Sequence, residues 1–251
     1  MGREESSRWI TDRGVIQGGP FSPDLYNLGT ISLPLWNEGS ESVVYADDDV
    51  ELVIGETNEE CQMLAQEAAD KVTEWYTLVG LSINAKKSEV VGFGFNPDPV
   101  CVAGVSVQPS NTIKFLGCKI QKDLKWNDQV IDLCNQIRQA AGRIRFEGRH
   151  MTSTERRIMY NGWIGGRLLS NATAYLPLLS GRQKHEIQTA CNSGVRAVAG
   201  LPRWGHFPLT ETRKLHGIDS VEKTCQILTL HEGWKLQPEA ILHTGLSLIH
   251  I

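Results

Sequence analysis

In the first half of the chain apolar residues alternate or run together in short stretches, and in the second half they recur at helical spacing. Val43 and Val44 precede Asp47 and Asp48, and Val50, Leu52 and Ile54 follow them. Apolar runs on either side of two carboxylates predict two antiparallel strands joined by a turn. Thr57-Asn58-Glu59-Glu60 is a capping box, and Cys61, Leu64, Ala65, Ala68, Val72, Trp75, Tyr76 and Val79 keep one apolar face. That pattern predicts a helix running to about Leu78, packed on a sheet. Gly80 ends it. Val90, Val91 and Phe93 predict a strand, a turn-rich stretch follows, and Ile113 to Ile120 predicts another strand. Nearer the start, Gly14 to Pro20 is a glycine-rich loop. Ser22-Pro23-Asp24 then supplies an N-cap hydroxyl, a proline at the first helical position and a first-turn acid. A short helix should follow, with Leu25, Leu28 and Ile31 inward.

From Trp126 onward the period changes. Val130, Leu133, Ile137, Ala140, Ala141 and Ile144 form one helical stripe, with Arg138, Arg143 and Arg145 around it. Thr152 to Glu155 and Ser180 to Gln183 are two more capping boxes, for helices running to about Leu169 and Ala199. A last helix is expected from near Asp219 to about Lys235. The fold class is therefore α+β: residues 1–125 form an antiparallel sheet with packed helices, residues 126–236 are all-helical, and residues 237–251 are an unstructured tail.

Composition narrows the class. Hydrophobic residues make up 41% and charged residues 22%, as in a globular chain rather than a disordered one. No apolar run approaches the roughly 18 residues a membrane span needs. The polar first residues show no secretory signal. The six cysteines are scattered without a Cys-x-x-Cys pair, which argues against a zinc site and for reduced thiols in an intracellular protein. Charge is unevenly spread. Residues 1–125 carry 10 Lys/Arg against 19 Asp/Glu, and residues 126–216 carry 13 against 6. Eleven of those 13 are arginine, the side chain best matched to phosphate oxygens. An acidic half followed by an arginine-rich half suits an enzyme acting on nucleic acid.

The acidic half has a focus. Two adjacent carboxylates at a strand turn repel each other, and a cation relieves that repulsion. Oxygen ligands from one or two carboxylates, completed by substrate phosphates, suit Mg²⁺. Asp-Asp is also ordinary turn chemistry, so the pair gains meaning only from its neighbours.

Those neighbours come in order: Gln17-Gly18-Gly19-Pro20-Phe21-Ser22-Pro23 with Leu25 and Asn27; Tyr45-Ala46-Asp47-Asp48; Gly80-Leu81 with Asn84, Lys87 and Ser88; and Phe115-Leu116-Gly117, followed by Leu124 and Trp126. Together they resemble the reverse transcriptase domain of non-LTR retrotransposons. The resemblance covers residues 13 to 126, and more loosely the helical stretch to about 236. Viral RNA-dependent RNA polymerases usually show Gly-Asp-Asp at the tetrapeptide. Group II intron enzymes share Tyr-Ala-Asp-Asp, and the Phe-Leu-Gly then Leu-x-Trp continuation favours the retrotransposon branch.

The resemblance implies a partial polymerase palm followed by a thumb-like helical region, and an RNA-directed DNA polymerase working by two-metal nucleotidyl transfer onto a primer 3′ end. It implies Asp47 and Asp48 as the catalytic pair, Asp47 a direct ligand of two Mg²⁺ ions and Asp48 a looser one, with Mn²⁺ as a substitute. Gln17 and Gly18 lie under the template–nucleotide pair, and Ala46 keeps the turn slim where the primer end arrives. Tyr45 packs beside primer or nucleotide, and Lys87 is a cation near the leaving phosphate. Phe115, Leu116 and Gly117 form the primer-grip region. The implied partners are an RNA template, a DNA primer and deoxynucleoside triphosphates, with no membrane. Asp49 extends the acidic run but lies outside the family's pair and receives no role.

One element of the family pattern is not found in these residues. The family carries a further metal-binding aspartate on its own strand, several dozen residues upstream of the glycine loop, and its fingers lie upstream as well. Only 13 residues precede Gly14, and Asp12 is too near the loop to serve. The expectation is a palm fragment and thumb that polymerise nothing by themselves. Ile16 and Gly19 are milder departures. A non-catalytic nucleic-acid-binding remnant of a retroelement is the alternative reading.

Overall fold

The apolar runs around Asp47 pair as a hairpin. In the computed structural model, which describes residues 18–33, 39–232 and 245–250, strand β1 (Glu41–Tyr45) lies antiparallel to β2 (Asp48–Gly55), in register from Glu41↔Leu52 to Tyr45↔Asp48. The turn is two residues long, and Ala46 takes a left-handed φ of 54°. Cross-strand partners share a face of a sheet. One face of the hairpin therefore carries Ser42, Val44, Asp49, Glu51 and Val53. The alternating set Val50, Leu52 and Ile54 lies on the other face with Tyr45 and Asp48.

The helix before the hairpin, α1 (Ser22–Thr30), forms where Pro23 and Asp24 predict it. Two expectations about it change. Phe21, not Ser22, is the residue at the cap, and no side chain caps the helix. Leu25, Leu28 and Ile31 are 56%, 69% and 70% exposed, and burial falls instead on Thr30 and Leu33. The reason is packing: Leu33 joins Val72, Trp75 and Tyr76 in a small core cluster, which takes the chain after the helix inward rather than its apolar stripe.

The next helix, α2 (Asn58–Leu78), covers the face of the hairpin that carries Val44 and Val53. The Thr57 hydroxyl accepts from the Glu60 amide at 3.1 Å, and the Glu60 carboxylate accepts from the Glu56 amide at 2.7 Å. Small residues along α2 (Ala65, Ala68 and Ala69) let the helix lie close on Val53 and Val90. Val79, expected on the buried stripe, is 44% exposed beyond the helix end. Strand β3 (Glu89–Phe93) follows as predicted. The turn-rich stretch after it contains a hairpin, β4 (Val100–Val102) with β5 (Val105–Val107), turned by Ala103 and Gly104 at positive φ. Two glutamines of α2 hold this stretch. The Gln66 side chain donates to Cys101 O at 2.9 Å and accepts from its N at 2.8 Å, and Gln62 does the same at Asp98.

The single strand expected over Ile113 to Ile120 is two strands, β6 (Thr112–Phe115) and β7 (Cys118–Gln121). Leu116 and Gly117 sit between them at φ 46° and 81°, a two-residue turn with both φ positive, the kind that matches strand twist. A leucine in the left-handed region gives no warning in a sequence.

Helices follow. The stripe from Val130 to Ile144 is buried along α3 (Asn127–Glu147). Helix α4 (Ser153–Tyr160) opens on a complete capping box at Thr152 and Glu155, and continues through a π-helical turn (Asn161–Gly165) to Leu169. Helix α5 (Gly181–Val198) opens on a second capping box at Ser180 and Gln183. Two more helices, α6 (Leu209–Leu215) and α7 (Val221–Glu232), follow, and the expected extension of α7 to Lys235 lies outside the described residues. α3, α4, α5 and α7 share one core that includes Ile137, Ile144, Ile164, Ile187, Val195 and Cys225.

Part of the stretch expected as an unstructured tail is a strand. Residues 245–250 form β8 (Gly245–His250), which pairs antiparallel with β2 on one side and β3 on the other. The main sheet thus has the order β1-β2-β8-β3, with the last segment of the chain in its interior. The chain divides into two units, residues 1–113 with 243–251, and residues 114–242. The fold is α+β. None of the described helices is long and apolar enough to cross a membrane.

Candidate functional site

The hairpin sorts the acidic residues at and after its turn by position. Asp47 lies in the turn and is exposed, and Asp48 closes the turn opposite Tyr45 and is half-buried. Tyr45, opposite Asp48, is 65% exposed. Asp49 and Glu51 point the other way, under α2, and both are fully buried.

The two buried carboxylates are treated differently. Glu51 accepts from the Ser42 hydroxyl at 2.6 Å and from the Ser40 hydroxyl. Neither oxygen of Asp49 has a hydrogen-bond partner. Burial first, and then the neighbouring Glu51 charge, push the Asp49 carboxyl up to about 7, with the Val50 amide opposing weakly. Two tyrosines feel the same acids. Tyr76 of α2 is raised by burial, then by Asp49, Tyr26, Glu51 and Asp47. Tyr26 of α1 is raised by burial, then by Asp47 and Asp49. Asp49, Glu51, Tyr26 and Tyr76 interact electrostatically beside the turn, and the sequence pattern assigned them no role. The available signal was Asp49-x-Glu51, two acids at the spacing that puts both on one face of a strand.

The other residues singled out from the sequence are placed as follows. Gly18 is exposed at φ 82°, and a Cβ there would meet nothing within 4 Å, so its glycine serves backbone conformation rather than close packing. Gln17 lies outside the described residues. Ala46 is exposed at the tip of the hairpin. Lys87 is exposed in the turn after α2, where its amide donates to Asn84 O at 2.8 Å. Phe115, Leu116 and Gly117 belong to the second unit, where the Asn171 side-chain amide donates to Leu116 O at 2.6 Å and pins the turn.

No group of three or more His, Cys, Asp or Glu is set to hold a metal among the described residues. The donor set at the turn is two adjacent carboxylates, one exposed. That suits a hard divalent ion completing its shell with water and substrate phosphate, not a structural ion caged by protein. Five cysteines are buried, Cys101 is exposed, and all six are free.

A family model described as reverse transcriptase (RNA-dependent DNA polymerase) matches residues 2–120. The Retrovirus-related Pol polyprotein from type-2 retrotransposable element R2DM of Drosophila melanogaster is 32% identical over 106 residues, covering 38% of this chain and 10% of that protein. The chain thus matches about a tenth of the length of this curated relative. No solved structure matches the chain.

Proposed function

We propose a function from the premise that residues 2–120 belong to the reverse transcriptase family, in its non-LTR retrotransposon branch. The chain is the C-terminal part of a polymerase palm with a thumb-like helical region, acting in RNA-directed synthesis of DNA on a primer 3′ end. The observation that supports this best is the hairpin tip. Asp47 stands exposed at a slim Ala46 turn, next to Asp48 and Tyr45.

Asp47 and Asp48 would hold the divalent cation, Mg²⁺ in this reading and Mn²⁺ as a substitute. Bound there, the metal would stabilise charge on the attacking 3′ oxygen and the leaving pyrophosphate. The chain's own residues do the positioning. Gly18, with Gln17, takes the template–nucleotide pair against exposed backbone, and Tyr45 lies alongside primer or nucleotide. Lys87 carries its charge toward the departing phosphates. The Phe115-Leu116-Gly117 turn, pinned by Asn171, holds the primer strand.

One hairpin offers two carboxylates, and bridging two metals needs a further ligand. We therefore expect these 251 residues by themselves not to extend a primer, and the same chain joined to an upstream segment supplying another carboxylate to do so. Primer extension on an RNA template with Mg²⁺ tests this, and extension by the 251 residues alone would overturn the claim. In the joined enzyme Asp47→Asn should lower the rate by at least about a hundredfold, the scale on which a transition-state electrostatic contact acts. Activity retained within a few fold would remove Asp47 from the site. A second reading, nucleic-acid binding without catalysis, draws on the arginines of the helical unit. It predicts binding by a chain that no upstream segment makes active.

A further inference from the structure

In the second unit the C-terminal ends of α3 and α5 come together, and four arginines gather there. Arg145, in the last turn of α3, donates to Leu201 O at 3.3 Å. Arg196 lies in the last turn of α5. Arg156 of α4 is seated between two glycines. A Cβ at Gly148 would come within 2.8 Å of its Cγ, and one at Gly200 within 3.3 Å of both terminal nitrogens. Arg203 follows in the loop after α5, its guanidinium 5.2 Å from the centre of the Trp204 ring, which is 78% exposed. Close by in sequence, Arg149 lies 5.1 Å from the centre of the Phe146 ring, itself 69% exposed.

Helix C-termini attract cations, and this explains part of the gathering. It leaves two facts over. The Nε atoms of Arg156 and Arg196 are buried without an acceptor. None of the four arginines is in an ion pair among the described residues, although Arg143 and Arg182, elsewhere on the same two helices, each hold a glutamate four residues on. Arg145 is held below the ordinary guanidinium pKa by burial, then by Arg203 and Arg196, so the like charges are close enough to oppose each other. Such a cluster is relieved by an anion, and the planar fork of arginine fits phosphate.

We propose that Arg145, Arg156, Arg196 and Arg203 bind the phosphates of an unpaired nucleic-acid strand, whose bases stack on Trp204 and Phe146. The exposed rings select the single strand, because a duplex keeps its base faces stacked and offers mainly its backbone, whereas an unpaired base offers a π-face to an aromatic side chain. This inference rests on the nucleic-acid reading given above and adds to it a second binding surface, on residues separate from the hairpin.

The test uses the whole 251-residue chain and a fluorescently labelled RNA of about 20 nucleotides, alone and annealed to its complement, in a salt series. Arg203→Gln with Arg145→Gln should weaken single-strand binding about tenfold or more and flatten the dependence of log affinity on log salt by about 0.7 for each phosphate no longer neutralised. Trp204→Ala should weaken single-strand binding about tenfold and leave duplex binding unchanged. Arg182→Gln removes one charge outside the cluster, as Arg203→Gln does within it, and should leave both unchanged. Because Arg145 is partly packed, Arg203→Gln alone, at an exposed side chain, repeats the comparison without risk to the fold. An unchanged affinity and salt slope for the arginine variants would overturn the proposal, as would equal weakening on single strand and duplex for Trp204→Ala. Displacement of the RNA by polyglutamate at equal charge concentration would also overturn it and point to an acidic protein instead. These measurements involve no catalysis, so their failure is distinct from a failure of the Asp47 assignment.

Discussion

At the residue scale, Asp49 separates two uses of acidic side chains on one short strand. Its neighbours Asp47 and Asp48 reach solvent at the turn, whereas Asp49 is buried with neither oxygen hydrogen-bonded. A carboxyl held at about 7 in the folded protein, against about 3.9 unfolded, is an acid with a raised pKa, so folding favours its protonated form. Below about pH 4 both states are protonated and burial carries no ionisation penalty. Between about pH 4 and 7 the unfolded state ionises first, so stability falls as pH rises, and above about 7 the loss is complete. Three pKa units correspond to about 4 kcal/mol as an upper scale. Asp49→Asn removes that ionisation. It should raise the melting temperature at about pH 8 by several degrees while changing it little at about pH 4, as followed by calorimetry. A parallel shift at both pH values would refute the burial account. The position of Asp47-Asp48 at a turn was legible because apolar runs flank it. The burial of Asp49 and Glu51 was not, because a period of two names two faces without saying which one a helix will cover.

At the element scale, the helices were the most readable part. The stripe from Val130 to Ile144 is buried as the spacing requires, and the boxes at Thr152 and Ser180 form with both reciprocal hydrogen bonds. Local hydrogen bonding and a helical period act within a few residues, so they are written locally. What the period does not give is the closeness of two helices. At Gly194 of α5 an added Cβ would lie 2.4 Å from Ile164 Cδ1 and 2.8 Å from Tyr160 Cε2. Gly194→Ala should therefore destabilise the helical unit by about 1–3 kcal/mol through overpacking, despite alanine's better helix propensity. Urea denaturation followed by far-ultraviolet circular dichroism measures this, and a stabilised variant would show that α4 and α5 have room to spare. The hairpin β6–β7 is the opposite case. Its turn depends on Leu116 adopting a conformation that leucine avoids, so the sequence read as one strand.

At the scale of the whole molecule, β8 decides how the main sheet is built. Without it β2 and β3 would each present a row of unpaired backbone groups. Deleting residues 243–251 should raise hydrogen-exchange rates of β2 and β3 amides by at least about tenfold, the response expected when a cooperative unit is deprived of an interior strand. Amides of α3 and α5, in the other unit, should keep their protection. Unchanged exchange in β2 and β3 would show that β8 adds nothing to the sheet.

The sequence by itself determined the α+β class, most helices and their caps, the turn carrying Asp47 and Asp48, and the similarity of residues 2–120 to reverse transcriptases. Each of these is carried by side-chain type at short spacing. Only the tertiary structure decided that Leu25, Leu28 and Ile31 stay exposed, that Asp49 is buried and Asp47 is not, that four arginines meet at two helix ends, and that residues 245–250 lie between strands about 150 and 200 residues earlier. Those outcomes depend on which distant surfaces are covered. A strand's backbone hydrogen bonds are the same whatever partner supplies them, so nothing in six apolar and polar residues names the slot they fill.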